Sequence, residues 1–314
     1  MVWIFIAVAA LVALVILFAA VYLADALTGG RRTRVQGTPA DLGLRYEEVQ
    51  FLTADRLTLR GWFLESPGPR ATVILVHEAG ATRADRERGL LQLQRDYVRR
   101  GFSVFAFDLR AHGESGGRRD TLGCRERLDV QAAVSYVRRR SGRTPILLHG
   151  FGYGAALALD AVARGVEVSG IVADSTFTSM RAFLRAQHPR VPSVVFAASF
   201  LVARRLFKCD VTALSPLRAI EKVGVPVLFV HGEADEVVPA THTLNLAAAS
   251  LDPRVRVWIV DDEEGHATAY ASTPEAYMRR CLQFIDEVVP ARTVFAVPQS
   301  ERTVPPAHTA QAAG

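Results

Sequence analysis

ILLHGFGYGAALAL, residues 146–159, begins as a β-rich apolar run, breaks at Gly150, Gly152 and Gly154, and continues as an Ala- and Leu-rich segment. Such a change of composition predicts a buried strand that turns directly into a helix, with small residues where the two elements must approach closely. Working outward, ATVILVH, FSVFAFD, TPILLHG, SGIVADS, VPVLFVHG and RVRVWIV are short and almost continuously apolar, as expected of strands covered on both faces. Segments of helical period separate them, among them RERGLLQLQRDYVRRG and RERLDVQAAVSYVRRR. This alternation predicts an α/β fold built on a doubly wound, mostly parallel sheet of about eight strands. RYEEVQFLT and LTLRGWFLES would form an antiparallel pair at its edge. In such a sheet the ligand site lies beyond the carboxyl ends of the strands, and those ends are polar here: HEAGATR, DLRAHGESGG, HGEADEVVP and DDEEGHATAY.

The chain of 314 residues is half apolar, enough for one sizeable domain. Cys124, Cys209 and Cys281 are odd in number and far apart, fitting neither a disulfide framework nor a zinc site, so free thiols are expected. The net charge of +5 comes from arginine, Lys208 and Lys222 being the only lysines, and the arginines lie among acids along helical segments. That is the pattern of solvated helix faces, and no nucleic-acid partner is expected.

Met1–Leu23 contains no charged or amide side chain. At 1.5 Å per residue it is about 34 Å long, sufficient for a hydrocarbon layer about 30 Å thick. Trp3 and Tyr22 near its ends suit the two interfaces. A cleaved signal peptide is the competing reading, but a basic leading segment and a shorter apolar core would be expected of it. Arg31, Arg32 and Arg34 follow the helix with no basic residue before it. The positive-inside rule therefore predicts a single-pass cell-membrane protein with a cytoplasmic C-terminal domain. The expected organisation is an anchor over 1–24, a linker over 25–44, the α/β domain over 45–290 with a lid at about 177–222, and a Pro- and Ala-rich disordered tail over 291–314.

Across roughly residues 45–288 the ordered set VILVHEAG, DLRAHGESGG, HGFGYGAALAL, VPVLFVHGEADEVVP and EEGHA resembles the α/β-hydrolase superfamily, near its serine aminopeptidase and monoacylglycerol-lipase branches. The resemblance implies Asp235 as triad acid, His266 as base, and the backbone N–H groups of Ala79 and Tyr153 as an oxyanion hole. It also places the nucleophile at residue 152, where this chain has Gly. Gly keeps the positive-φ turn without steric cost but supplies no hydroxyl, which excludes an acyl-enzyme at that position. Glu78 is a second departure, standing where most relatives have Gly and giving a His-Glu pair similar to that of dienelactone hydrolases. Two readings of it stay open. Either it pairs with Arg83 or another loop arginine, the preferred reading, or it joins His266 in positioning water as a base.

Ser115 and Ser175 follow strand ends near the same face, but resemble residues that accompany a separate nucleophile and are expected to be structural. His77, His149 and His231 end strands and are expected to cap hydrogen-bond networks, and His112 belongs to the DLRAHG loop. No metal site or cofactor is expected. VPSVVFAASFLVARRLF, in the lid position, is too short to span a bilayer; it would cover an apolar pocket, rest on the membrane or pack in the core. The functional expectation is a membrane-anchored hydrolase-like protein for ester, thioester or amide substrates of acyl or lipid-like character, weak or non-standard without its nucleophile. The alternative is an inactive pseudoenzyme that binds an acyl ligand or a protein partner.

Overall fold

The edge pair forms as expected: β1 (Glu47–Leu52) and β2 (Thr58–Leu64) are antiparallel, and β2 hands on to a parallel array. The remaining strands are β3 (Thr72–Val76), β4 (Ser103–Phe107), β5 (Ile146–Phe151), β6 (Gly170–Asp174), β7 (Val227–Ala234) and β8 (Arg256–Glu264). Their order across the sheet is β1-β2-β4-β3-β5-β6-β7-β8, eight strands in all. The structure is a computed structural model that describes residues 1–30 and 32–289. Arg31 and the segment 291–314, read from the sequence as a disordered tail, lie outside the described residues.

The apolar runs have two sides because successive strand side chains point to opposite faces. In β3, Ile74 and Val76 join one core, whereas Val73 and Leu75 join the other. The first core is closed by α3 (Arg127–Ser141), α4 (Tyr153–Ala163) and α8 (Thr241–Ala249), through residues such as Val130, Ala158 and Leu246. On the second lie α2 (Leu90–Arg99) and α10 (Pro274–Val288), with α9 (Ala269–Ser272) just before the latter. In α2 the buried Leu90, Leu93, Gln94 and Tyr97 recur at helical spacing, and each buried Leu contributes about 1.5–3 kcal/mol. The helix begins later than the period of its segment suggests. Gly89 takes φ 64° and Asp85 O accepts the Leu90 N–H, so the preceding residues form turns.

The lid region holds α5 (Met180–Gln187), α6 (Ser193–Leu206) and the short α7 (Pro216–Ile220). Ahead of the domain, α1 (Val2–Thr28) is long and apolar enough to cross a membrane. Its last turns pack along α6, where Ala20 and Ala24 are buried. Small residues permit this close approach. Arg119 joins the two helices, bonding Asp25 Oδ1 (2.7 Å) and the Thr28 hydroxyl (3.0 Å) while lying 3.9 Å over the Phe207 ring at the end of α6. Beyond α1, Arg32 donates to the carbonyls of Gly113 and Gly117, and the Thr33 hydroxyl to that of Gly80. The exit from α1 therefore crosses the loops at the carboxyl end of the sheet. Cys209 and Cys281 are buried and Cys124 half-buried, all as free thiols.

Candidate functional site

Residue 152 sits at the tip between β5 and α4 with φ 47° and ψ −104°, a conformation that is strained for a residue with a side chain. Its N–H donates to Asp174 O at 2.7 Å, which ties the turn to the neighbouring strand. Gly154 must also be small: a β-carbon there would overlap Val76 O and come within 2.6 Å of His77 O. The turn is thus wedged against the end of β3, the strand that leads into the loop bearing Glu78 and Ala79.

Asp235, after β7, and His266, after β8, meet across the loops: His266 Nδ1 donates to Asp235 Oδ2 at 2.7 Å. Asp235 is held on its other oxygen by the N–H groups of Val237 (2.9 Å) and Val238 (2.8 Å). His231 lies 3.4 Å from it, its Nε2 donating to Val238 O and its Nδ1 meeting the Thr243 hydroxyl. Burial opposes ionisation of Asp235, but its hydrogen bonds with His231 and His266 prevail and hold the carboxyl well below the usual range.

Glu78 does not pair with Arg83, the arginine the preferred reading of the sequence named; another loop arginine, Arg88, acts on it through its charge. Arg83 is drawn instead to Asp108, buried just after β4, and to Glu114, and lies 4.3 Å over the Trp62 ring. The Glu78 carboxylate faces the other way, toward residue 152. Its Oε1 accepts the Ala79 N–H at 2.7 Å and its Oε2 accepts the Tyr153 N–H at 2.6 Å. These are the two donors that the sequence reading assigned to an oxyanion hole. A β-carbon on residue 152 would overlap Glu78 Oε2 and lie 2.8 Å from His266 Nε2. The glutamate oxygen therefore fills the space where a nucleophile side chain would begin, 3.6 Å from the imidazole. The two departures from the family pattern are spatially one arrangement: Glu78 fits because residue 152 has no side chain.

Electrostatically the centre is a carboxylate–imidazolium–carboxylate row. Burial disfavours the charged ring of His266, yet Asp235 and Glu78 outweigh it and push its pKa up to about 10. Burial likewise works against ionised Glu78, but His266, Arg88 and the Tyr153 N–H together hold its pKa below the ordinary value. Arg88, itself buried, donates to His266 O at 3.1 Å and pairs with Asp85 at 2.8 Å. Nothing in the sequence pattern distinguished Arg88 from other loop arginines. Two further histidines position the glutamate's loop. His77 Nδ1 donates to Glu78 O and its Nε2 accepts the Leu109 N–H, while His112 Nε2 accepts the Gly80 N–H. Burial pushes the His77 pKa down to about 3, so that ring is neutral.

Ser115 and Ser175 are engaged elsewhere. The Ser115 hydroxyl donates to Asp108 O and accepts the Arg60 N–H, and that of Ser175 donates to Asp174 Oδ1. Above the centre, α5 touches the acid loop through Gln187, which donates to Val237 O. A cleft of about 340 Å³ adjoins Ala79 and Gly80, lined also by Thr33, Arg34, Asp85 and Arg88.

The sheet order, the strand-end site and the elbow turn define a class, and comparison with known proteins agrees: the chain has the α/β-hydrolase fold and is similar to members of that superfamily. Residues 67–216 match the family described as serine aminopeptidase, S33. The uncharacterized protein YfhR of Escherichia coli K12 is 28% identical over 247 residues, which cover 76% of this chain and 80% of that one. The uncharacterized membrane protein YNL320W of Saccharomyces cerevisiae is 27% identical over 222 residues, 69% of this chain and 72% of the relative. Among solved structures, the Pyrococcus furiosus esterase Pf2001 superposes with a TM-score of 0.69 at 25% identity, covering 83% of this chain and 98% of the esterase.

Proposed function

We propose that this protein is a membrane-anchored α/β-hydrolase relative that forms no acyl-enzyme, with a reaction centre closed by its own glutamate and retained for binding an acyl or lipid-like ligand. The observation that carries this reading is the Glu78 carboxylate, which takes up both prospective oxyanion donors and the space beside Gly152. A backbone N–H directed at Glu78 is not available to a developing substrate oxyanion. With its pKa raised to about 10, His266 is already protonated at neutral pH and cannot act there as a general base.

A second reading has one observation in its favour, the 3.6 Å approach of Glu78 Oε2 to His266 Nε2. If Glu78 swung off its two N–H groups, it would act with His266 to deprotonate water against an ester carbonyl, and the vacated donors would receive the oxyanion.

The test compares wild type, Gly152→Ser, the Glu78→Gly/Gly152→Ser double variant, Glu78→Gln and His266→Ala, using a fluorophosphonate probe and a short-chain aryl ester. We expect no labelling of wild type. Little is expected of Gly152→Ser, because its side chain collides with Glu78. The double variant should label at Ser and hydrolyse ester at least about 10²-fold faster than either parent, the scale on which a triad nucleophile acts. Wild-type turnover abolished by both Glu78→Gln and His266→Ala would replace the first reading with the second. Probe on Ser115 or Ser175 of wild type would defeat both.

A further inference from the structure

α6 has an outer face that the domain leaves bare: Val194 is 56% exposed and Leu201 55%, with Ala197 exposed between them. Its inner face, including Phe196, Ser199, Val202 and Ala203, is buried. Exposed cations mark both ends, Arg190 before the helix and Arg204, Arg205 and Lys208 at and after its last turn. Arg190, Arg205 and Lys208 form no ion pair among the described residues, and Arg204 approaches Asp210 only at 3.9 Å. A helix that is apolar on its outward side and basic at each end is suited to lie in an interface, with its apolar face about 5–10 Å into the headgroup boundary.

What covers that face follows from its neighbour. α6 packs along the last turns of α1, and Arg119 fastens the Phe207 end of α6 to Asp25 and Thr28. α1 stays apolar as far as Leu23, so the stretch seated on α6 includes residues that the bilayer would otherwise surround. We infer that the outer face of α6 is a membrane-contact surface, immersed at the interface of the bilayer that α1 enters, with Arg190, Arg204, Arg205 and Lys208 against anionic headgroups. This rests on the anchor reading of α1. The cations add electrostatic attraction to an anionic surface.

The experiment uses the full chain with Cys124→Ser as background, reconstituted in vesicles of phosphatidylcholine and phosphatidylglycerol. An environment-sensitive fluorophore is attached singly at Leu201→Cys, Leu11→Cys or Leu251→Cys. Leu251 is 78% exposed and precedes β8, at the end of the sheet opposite the site. Nitroxide lipids should quench Leu201 at least about twofold, most strongly with the label near the headgroup, as an interfacial helix requires. Leu11 should respond to deep labels and Leu251 to none. Replacing Arg204 and Arg205 by Glu should weaken quenching at position 201 and remove its dependence on phosphatidylglycerol. Quenching at Leu11 with Leu201 as silent as Leu251 would overturn the inference and leave the anchor standing; silence at both would overturn the anchor reading as well.

Discussion

A single imidazole, placed between two carboxylates, sets the chemical state of the centre. The pKa of His266 rises from its ordinary value near 6.5 to about 10 because Asp235 and Glu78 together overcome its burial. A folded-state pKa raised above the unfolded one contributes stability that is complete below about 6.5 and is lost as pH climbs through about 10. Glu78, shifted downward, contributes on the acid side instead, with stability present above its ordinary value and lost as pH falls below it. Nuclear magnetic resonance of the His266 ring should therefore show an imidazolium throughout neutral pH, titrating near pH 10. In Glu78→Gln the midpoint should fall toward neutrality by about 1–3 pH units, the usual effect of one opposite charge at this range. The alkaline decline of Tm should flatten in parallel. A ring already neutral at pH 7 in wild type would show that the glutamate does not sit beside it. The meeting of His266 with Asp235 was legible in the sequence, because each stands in a recognisable strand-end motif. The fit of Glu78 into the space over Gly152 was not, since positions 78 and 152 each read only as an isolated departure until the fold brings them together. Arg83 misled through proximity in the chain; the buried carboxylate of Asp108 is the stronger attractor for its guanidinium.

At the scale of elements, the site is held by the wedge of α4 against the end of β3. Both elements were readable from apolar runs and glycine punctuation, and the pattern of small residues announced their approach without giving its tightness. A methyl group at residue 154 would press on the carbonyls of Val76 and His77, which are backbone and cannot rotate away. Gly154→Ala is therefore expected to destabilise the fold by about 1–3 kcal/mol, the range for overpacked sites. Calorimetry should record a lowered Tm. Because the same shift displaces the Tyr153 N–H from Glu78, the His266 titration should move as well. A stable variant with an unchanged ring titration would show that the wedge does not position the glutamate. The lid illustrates what periodicity leaves undecided: VPSVVFAASFLVARRLF has the composition of a core helix, a pocket cover or an interfacial helix. Its surroundings set aside the fully buried core helix, since only one of its faces is buried and it packs along α1.

For the whole molecule, the sequence made the sheet and the apolar helix plain, but it treated the stretch after the helix as a mere linker. In the structure Arg32 grips the carbonyls of Gly113 and Gly117, and Thr33 reaches Gly80, immediately after one of the donors that hold Glu78. The segment leaving α1 is thus tied to the loop at the reaction centre, and the orientation of the helix fixes which compartment that centre faces. On the anchor reading of α1, orientation is set by the basic residues that follow the apolar stretch, Arg31, Arg32 and Arg34. The expected topology is a domain on the cytoplasmic side. Protease added to intact cells should spare the domain, while the same protease on inverted membrane vesicles should release it. Changing the three arginines to Glu should raise the fraction digested from outside, because removing the retained positive charge weakens the preference. Digestion of the wild-type domain in intact cells would reverse the assignment, and with it the compartment from which any ligand reaches Glu78 and His266.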